Sequence, residues 1–158
     1  MARAMELDES IAYDGNDFST IPDGLWPFTV KAVSIVNYKG GTNIPPCRNA
    51  RVTLRVGYGT EMTDVTDNIY LYVDDNGNPN WNIAAFYRAI GYKKHGEEVK
   101  MDWTPEFLVG KTGWCKTKQV KGRERDVVFV NVEGYVDPED APKDGMPVLA
   151  AASAKPAP

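Results

Sequence analysis

Residues 110–136 read GKTGWCKTKQVKGRERDVVFVNVEGYV. Two alternating runs flank a polar turn around Val120, Lys121, Gly122 and Arg123, which is the pattern of a β-hairpin. Successive strand side chains point to opposite faces. Trp114, Lys116 and Lys118 therefore share one face of the first arm. On the second arm Val128, Val130 and Val132 form a stripe, with Val127, Phe129, Asn131 and Glu133 opposite. Between positions 111 and 125, six bases (Lys111, Lys116, Lys118, Lys121, Arg123, Arg125) stand against one acid, Glu124. A basic, ring-bearing hairpin in a chain of net charge −4 calls for an anionic partner, and nucleic acid is the first candidate.

Outward from the hairpin, 158 residues at 42% hydrophobic content suffice for one globular domain with a core, plus tails. No run of apolar residues approaches the length of a membrane span, and MARAMELDES lacks the apolar stretch of a signal peptide, so the expectation is a soluble cytoplasmic protein without membrane contact. Cys47 and Cys115 lie outside any CxxC and read as two reduced cysteines, with a pairing between them left open. The charge is unevenly spread. Residues 1–27 hold one base and six acids, residues 136–158 two bases and four acids, and residues 28–135 the remaining 15 bases and 12 acids. Charges interact over a Debye length of about 8 Å at physiological salt, so acidic ends need not cancel a basic face.

Residues 1–20 are acidic and without period, and are expected to be a flexible segment. Ile21, Pro22, Asp23 and Gly24 form a turn signal before a first strand over 28–38. The apolar residues of that strand fall on both parities (Val30 and Val36; Val33 and Ile35), as in a strand covered on both sides or bent across a barrel. A loop follows over 39–47. The second strand, 51–58, turns Val52, Leu54 and Val56 one way and Arg51, Thr53 and Arg55 the other. A turn over 57–62 leads to a third strand over 65–73, where Val65, Asp67, Ile69 and Leu71 oppose Thr66, Asn68, Tyr70 and Tyr72. With the aliphatic faces inward, Arg51, Arg55, Tyr70 and Tyr72 share the outer surface.

Asn80 caps a helix in which Ile83, Phe86, Tyr87 and Ile90 recur at helical spacing, and Gly91 ends it. Thr104 and Pro105 start a short helical turn that Gly110 stops. Asp74, Asn76 and Asn78 miss the calcium-loop spacing, because position 85 is Ala85 where the closing glutamate is required. Gly110, Lys111 and Thr112 miss the phosphate-loop spacing, with Pro105 in place of its first glycine. No catalytic triad or metal-ligand spacing emerges, and His95 stands without a partner pattern. The expectation is a non-enzyme with no cofactor and no metal. Residues 137–158 read as a disordered C-terminal tail, which leaves one domain over 21–136.

Five strands with a helix between the third and fourth is the order of an OB-fold, a mainly β, partly open barrel. A sandwich or jelly roll remains an alternative winding. The turn at 21–24, the helix from Trp81 to Ile90 and Gly91, and the step Leu108, Val109, Gly110, Lys111 into the hairpin resemble small phage-encoded single-stranded-DNA-binding proteins. The resemblance covers residues 18–136. It departs at Trp26-Pro27, which interrupts the opening of the first strand, and at Asp126-Val127, where asparagine-valine is usual. It implies an OB-fold, sequence-tolerant single-strand binding in phage replication or recombination, no catalysis, and the host cytoplasm. Stacking is expected of Tyr70, Tyr72 and Trp114, and phosphate contact of Arg51, Arg55, Lys116, Lys118, Lys121, Arg123 and Arg125. Further partners would be replication or recombination proteins or a second copy in a homodimer. The alternative function is a virion or assembly protein that uses its β-barrel for protein contacts.

Overall fold

Strand β1, Gly24–Tyr38, is the spine of a mainly β fold. It belongs to a computed structural model that describes residues 2–10, 21–121 and 128–149. Its second half pairs antiparallel with β2, Cys47–Tyr58, from Phe28 opposite Val56 to Tyr38 opposite Cys47. Its first half pairs antiparallel with β4, Thr112–Lys121, from Gly24 opposite Thr117 to Thr29 opposite Thr112. Strand β3, Glu61–Leu71, returns along β2 after the two-residue turn at Gly59 and Thr60. Strand β5, Val128–Val136, returns along β4. The antiparallel sheet runs β3-β2-β1-β4-β5, and a sixth strand, β6 at Val148–Leu149, pairs with Gly24 and Leu25 of β1.

A bulge between Val30 and Ala32 explains why the apolar residues of β1 fall on both parities. The extra residue, Lys31, shifts the alternation, so Phe28 and Val30 before it and Val33 after it all reach the core. Val52, Leu54 and Val56 of β2, Val65 and Ile69 of β3, and Cys115 of β4 complete that side of the sheet, all buried.

Two helices lie between β3 and β4. Helix α1, Trp81–Ala89, starts where Asn80 accepts a hydrogen bond from the Asn82 N–H at 3.3 Å, and Gly91 takes a positive φ of 81° just past its end. It buries Ile83, Phe86 and Tyr87 against the sheet. The Tyr87 hydroxyl donates to the Asp102 carbonyl and accepts from the Asp102 N–H, both at 2.9 Å, and burial pushes its phenol up. Helix α2, Pro105–Leu108, has Thr104 as its cap.

The two end strands are tied together through the core. Tyr135 of β5 donates its hydroxyl to Asp67 of β3 at 2.5 Å. The Tyr135 ring meets Phe86 of α1 edge-on at 5.3 Å and Phe28 of β1 at 5.8 Å. Burial raises the Asp67 carboxyl above the ordinary aspartate value, against the lowering effect of the tyrosine hydrogen bond. The buried Cys115 thiol is pushed up to about 12 by desolvation, reinforced by the Asp67 charge, and Cys47 and Cys115 are free thiols.

Several expected boundaries are corrected. Strand β1 begins four residues earlier than expected, at Gly24, with Trp26 in the core and its indole N–H donating to the Pro22 carbonyl at 2.8 Å. Pro27 is tolerated because the β2 ladder starts only at Phe28. Strand β2 also starts four residues early, at Cys47, and β3 spans 61–71 where 65–73 was expected. The sheet has six strands where five were expected. The sixth lies in the expected disordered tail, whose residues through Leu149 include a 3-10 turn, Pro138–Asp140, and β6. Side-chain patterning could not announce β6, since its contact is made by backbone against a glycine: a Cβ on Gly24 would stand 2.2 Å from the Val148 carbonyl oxygen. Residues 2–10 hold no helix or strand, and Arg3 there pairs with Glu9. Residues 11–20 and 150–158 lie outside the described residues. No helix among the described residues is long and apolar enough to cross a membrane.

The tie at Asp67 has a signed pH dependence. A carboxyl raised in the folded state binds its proton more tightly there than in the unfolded chain, so stability falls as pH rises from the ordinary value, about 3.9, through the folded one. Asp67→Asn keeps an acceptor for Tyr135 and removes that ionisation. Its stability relative to the parent should therefore climb across this window in urea titrations; a constant difference would contradict the assignment. Tyr135→Phe strips the donor from a buried carboxylate and should cost about 1–3 kcal/mol at neutral pH.

Candidate nucleic-acid interface

Residues paired in register share a face of the sheet, so the outer surface can be read from the ladders. Along β1, Leu25 lies opposite Lys116, Pro27 opposite Trp114, and Thr29 opposite both Thr112 and Arg55. Past the bulge, Ser34 lies opposite Arg51, which in turn lies opposite Asn68 of β3. Val36 lies opposite Asn49, and Asn49 opposite Tyr70. The inward neighbours Phe28, Val30, Val52, Leu54 and Cys115 are buried, while Arg51, Arg55 and Lys116 are exposed. Trp114, Lys116, Arg55, Arg51 and Tyr70 thus follow one outward track along β1. From Leu25 to Val36 the track is roughly 36 Å long at about 3.3 Å per residue.

Carboxylates temper this track. Asp64, opposite Arg55, lies 3.1 Å from its Nε and 2.7 Å from the Nζ of Lys31, the bulge residue. The Lys31 hydrogen bond, together with Arg55, holds the Asp64 carboxyl below its ordinary value. Glu133 lies 3.3 Å from Lys116 and 3.9 Å from Lys118. A second bulge brings it there: the β4–β5 register shifts between Lys116, opposite Gly134, and Thr117, opposite Val132, leaving Glu133 as the extra residue. The sequence count of one acid among the hairpin bases missed this one.

The expected stacking rings diverge. Tyr70 is partly covered and packs on Tyr38 at 4.7 Å between centroids. Between Val36 and Tyr70 in the ladder, Asn49 donates to the Asn68 side chain at 3.1 Å, and its own amide oxygen is buried without a partner. Tyr72 lies beyond the end of β3, in an apolar groove of about 480 Å³ that also holds Val73, Met101 and Trp81, the last 68% exposed. Trp114 is half-buried and shares a cavity of about 560 Å³ with Arg55, Met62 and the end of α1. The ring that sequence reasoning did not single out is Phe129. It lies opposite Val120 on the outward face beside Lys118 and is 55% exposed. Its signal was present: it falls opposite the Val128, Val130 and Val132 stripe, on the side of Asn131 and Glu133. Arg123 and Arg125, the turn between the arms and the side chain of Lys121 lie outside the described residues.

One cluster invites a metal. His95, Asp137 and Glu139 bring ligand atoms within 4.8 Å of one another. The Asp137 oxygens are already engaged, one by Arg88 Nε at 2.9 Å and the other by His95 Nε2 at 2.7 Å. A guanidinium in the first contact shell of that carboxylate opposes a divalent cation. Asp74 serves its turn instead, accepting from the N–H groups of Asn76 and Asn78, both at 2.9 Å.

Neither a family model nor a curated protein matches the chain. The outer face must be tested on its own geometry. Tyr38 and Tyr70 should couple by about 0.5–1.5 kcal/mol in a double-mutant stability cycle with alanine, the range for packed ring pairs. A coupling of zero would mean that the rings do not support each other on this face.

Proposed function

We propose that this chain is an OB-fold protein that binds single-stranded DNA without sequence preference, of the phage-encoded kind used in replication or recombination. The sheet order, the long bent β1 shared between β2 and β4, the helices between β3 and β4, and the Tyr135–Asp67 tie between the end strands all support the barrel. The observation that carries the function is the outward track along β1, continued by Lys118 and Phe129 on the β4–β5 hairpin, in which exposed cations lie between partly exposed rings. Phosphates take Lys118, Lys116, Lys31 and Arg51 in turn, and bases stack on Phe129, Trp114 and the Tyr38–Tyr70 pair. Stacking supplies about 1–3 kcal/mol per base and tolerates any sequence, since every base has a flat face. A duplex keeps its bases stacked on one another and cannot use those rings.

The salt dependence follows from the charges. Five bases of the track (Lys31, Arg51, Arg55, Lys116, Lys118) face two carboxylates, Asp64 and Glu133. With three to four phosphates neutralised at roughly 0.7 each, log K should fall against log[salt] with a slope between about −2 and −3. Fluorescence anisotropy of labelled oligo-dT and of duplex over a salt series reads this directly. Phe129→Ala and Tyr70→Ala should each weaken single-strand binding by about 1–3 kcal/mol. Glu133→Gln should tighten it. A salt-independent affinity, or equal affinity for duplex, would overturn the reading.

A further inference from the structure

Beyond the outward track, the structure holds a second basic site. The last turn of α1, the loop after it and the segment after β5 enclose a cavity of about 490 Å³ lined by Arg88, Lys93, Lys94, His95, Gly91, Pro138 and Glu139. Sequence reasoning found no partner pattern for His95. Asp137 organises the cavity from behind: one carboxylate oxygen accepts from Arg88 Nε at 2.9 Å and the other meets His95 Nε2 at 2.7 Å. That carboxylate is largely buried and spends both oxygens on the clasp, so it fixes the two side chains. Arg88 gives the clasp one of the five N–H donors of a guanidinium. Three permanent cations (Arg88, Lys93, Lys94) thus gather beside two carboxylates, and of those two only Glu139 lines the cavity.

Gly91 and Pro138 line this cavity and also the cavity of Arg55 and Trp114, so the two are neighbours. We propose that the Arg88–Lys93–Lys94–His95 pocket is a phosphate site, and that it receives a phosphodiester of the strand after it leaves Arg55 and Trp114. The first half stands on the pocket's own residues. The second half rests on the single-strand reading above. An arginine fork held in place beside lysines matches the charge and the several acceptor oxygens of a phosphate group, which an exposed lysine run alone does not orient.

His95 is the only histidine of the chain, so its ring protons are a unique NMR reporter inside the pocket. The full chain is titrated with inorganic phosphate and, separately, with oligo-dT of about ten nucleotides, within the site sizes of single OB domains. The pH midpoint of the His95 ring is followed in each case, with anisotropy recorded in parallel. A bound anion within about 4–6 Å favours the imidazolium, so the midpoint should rise by roughly half a unit or more. Lys93→Gln with Lys94→Gln should remove most of that rise, and Glu139→Gln should enlarge it. A midpoint unmoved by either anion overturns the phosphate site. A rise with phosphate but none with an oligonucleotide that anisotropy shows to be bound overturns the strand's path through the pocket and leaves the single-strand reading standing. A rise with phosphate while anisotropy detects no oligonucleotide binding supports the site and overturns the single-strand reading.

Discussion

The hydrogen bond from Tyr135 to Asp67 is the constraint on which the rest of the arrangement depends. A five-strand path of order β3-β2-β1-β4-β5 has two edges, and edges invite pairing with other chains. Here a residue from each end strand turns inward and the two meet in the core. The cost of burying a carboxylate is offset only if its oxygens are used, and the tyrosine hydroxyl uses one of them. The same ring then gives Phe86 its edge-on partner, so α1 seats against the joined ends. From that seat α1 projects Arg88 toward Asp137 and carries the loop that holds Lys93, Lys94 and His95.

The pairing of β1 also shapes the outer face. Strand β1 is shared between two partners and is paired by both β2 and β4 only at Phe28 and Thr29. The bulge at Lys31 sits just beyond this overlap, adding twist and delivering a cation to the outer side where the ladder would otherwise have continued its alternation. The bulge at Glu133 acts in the opposite sense and delivers an acid to a pair of lysines. Two of the seven charged groups on the track, Lys31 and Glu133, thus owe their place to a bulge.

Legibility in the sequence followed the range of the interaction. Helix α1 was readable because Asn80, the i, i+3, i+4 spacing and Gly91 lie within a dozen residues of one another. The facing of β2, β3 and the hairpin was readable because alternation is local. The early starts of β1 and β2 were hidden by Pro27 and by a proline-bearing loop, whose local preference the ladders override. Asp67 read as an acid on a core face with no reason to be there, since its partner is 68 residues away. Glu133 could not be placed with Lys116 and Lys118, because period-two counting cannot see the residue that a bulge adds. The Asp137 clasp joins segments 49 and 42 residues apart and left no local trace either.

The ion pairs of the track bear on how the proposed interface would work. Exposed pairs such as Lys116–Glu133 and Arg55–Asp64 are each worth no more than about 1 kcal/mol. A phosphate that takes over one of these cations therefore displaces a weak partner, and the displaced carboxylate returns to water at little cost. Its net electrostatic gain is small for the same reason. Stacking on Phe129, Trp114 or the Tyr38–Tyr70 pair, at about 1–3 kcal/mol per base, is then the larger contribution to affinity. In the proposed complex the cations would steer and align the strand over a track of mixed sign, and the rings would decide how long it stays. Such a division suits a chain that is acidic overall: the fold does not need a strongly positive surface, only flat rings at intervals along one bent strand with enough charge between them to bring a polyanion into register.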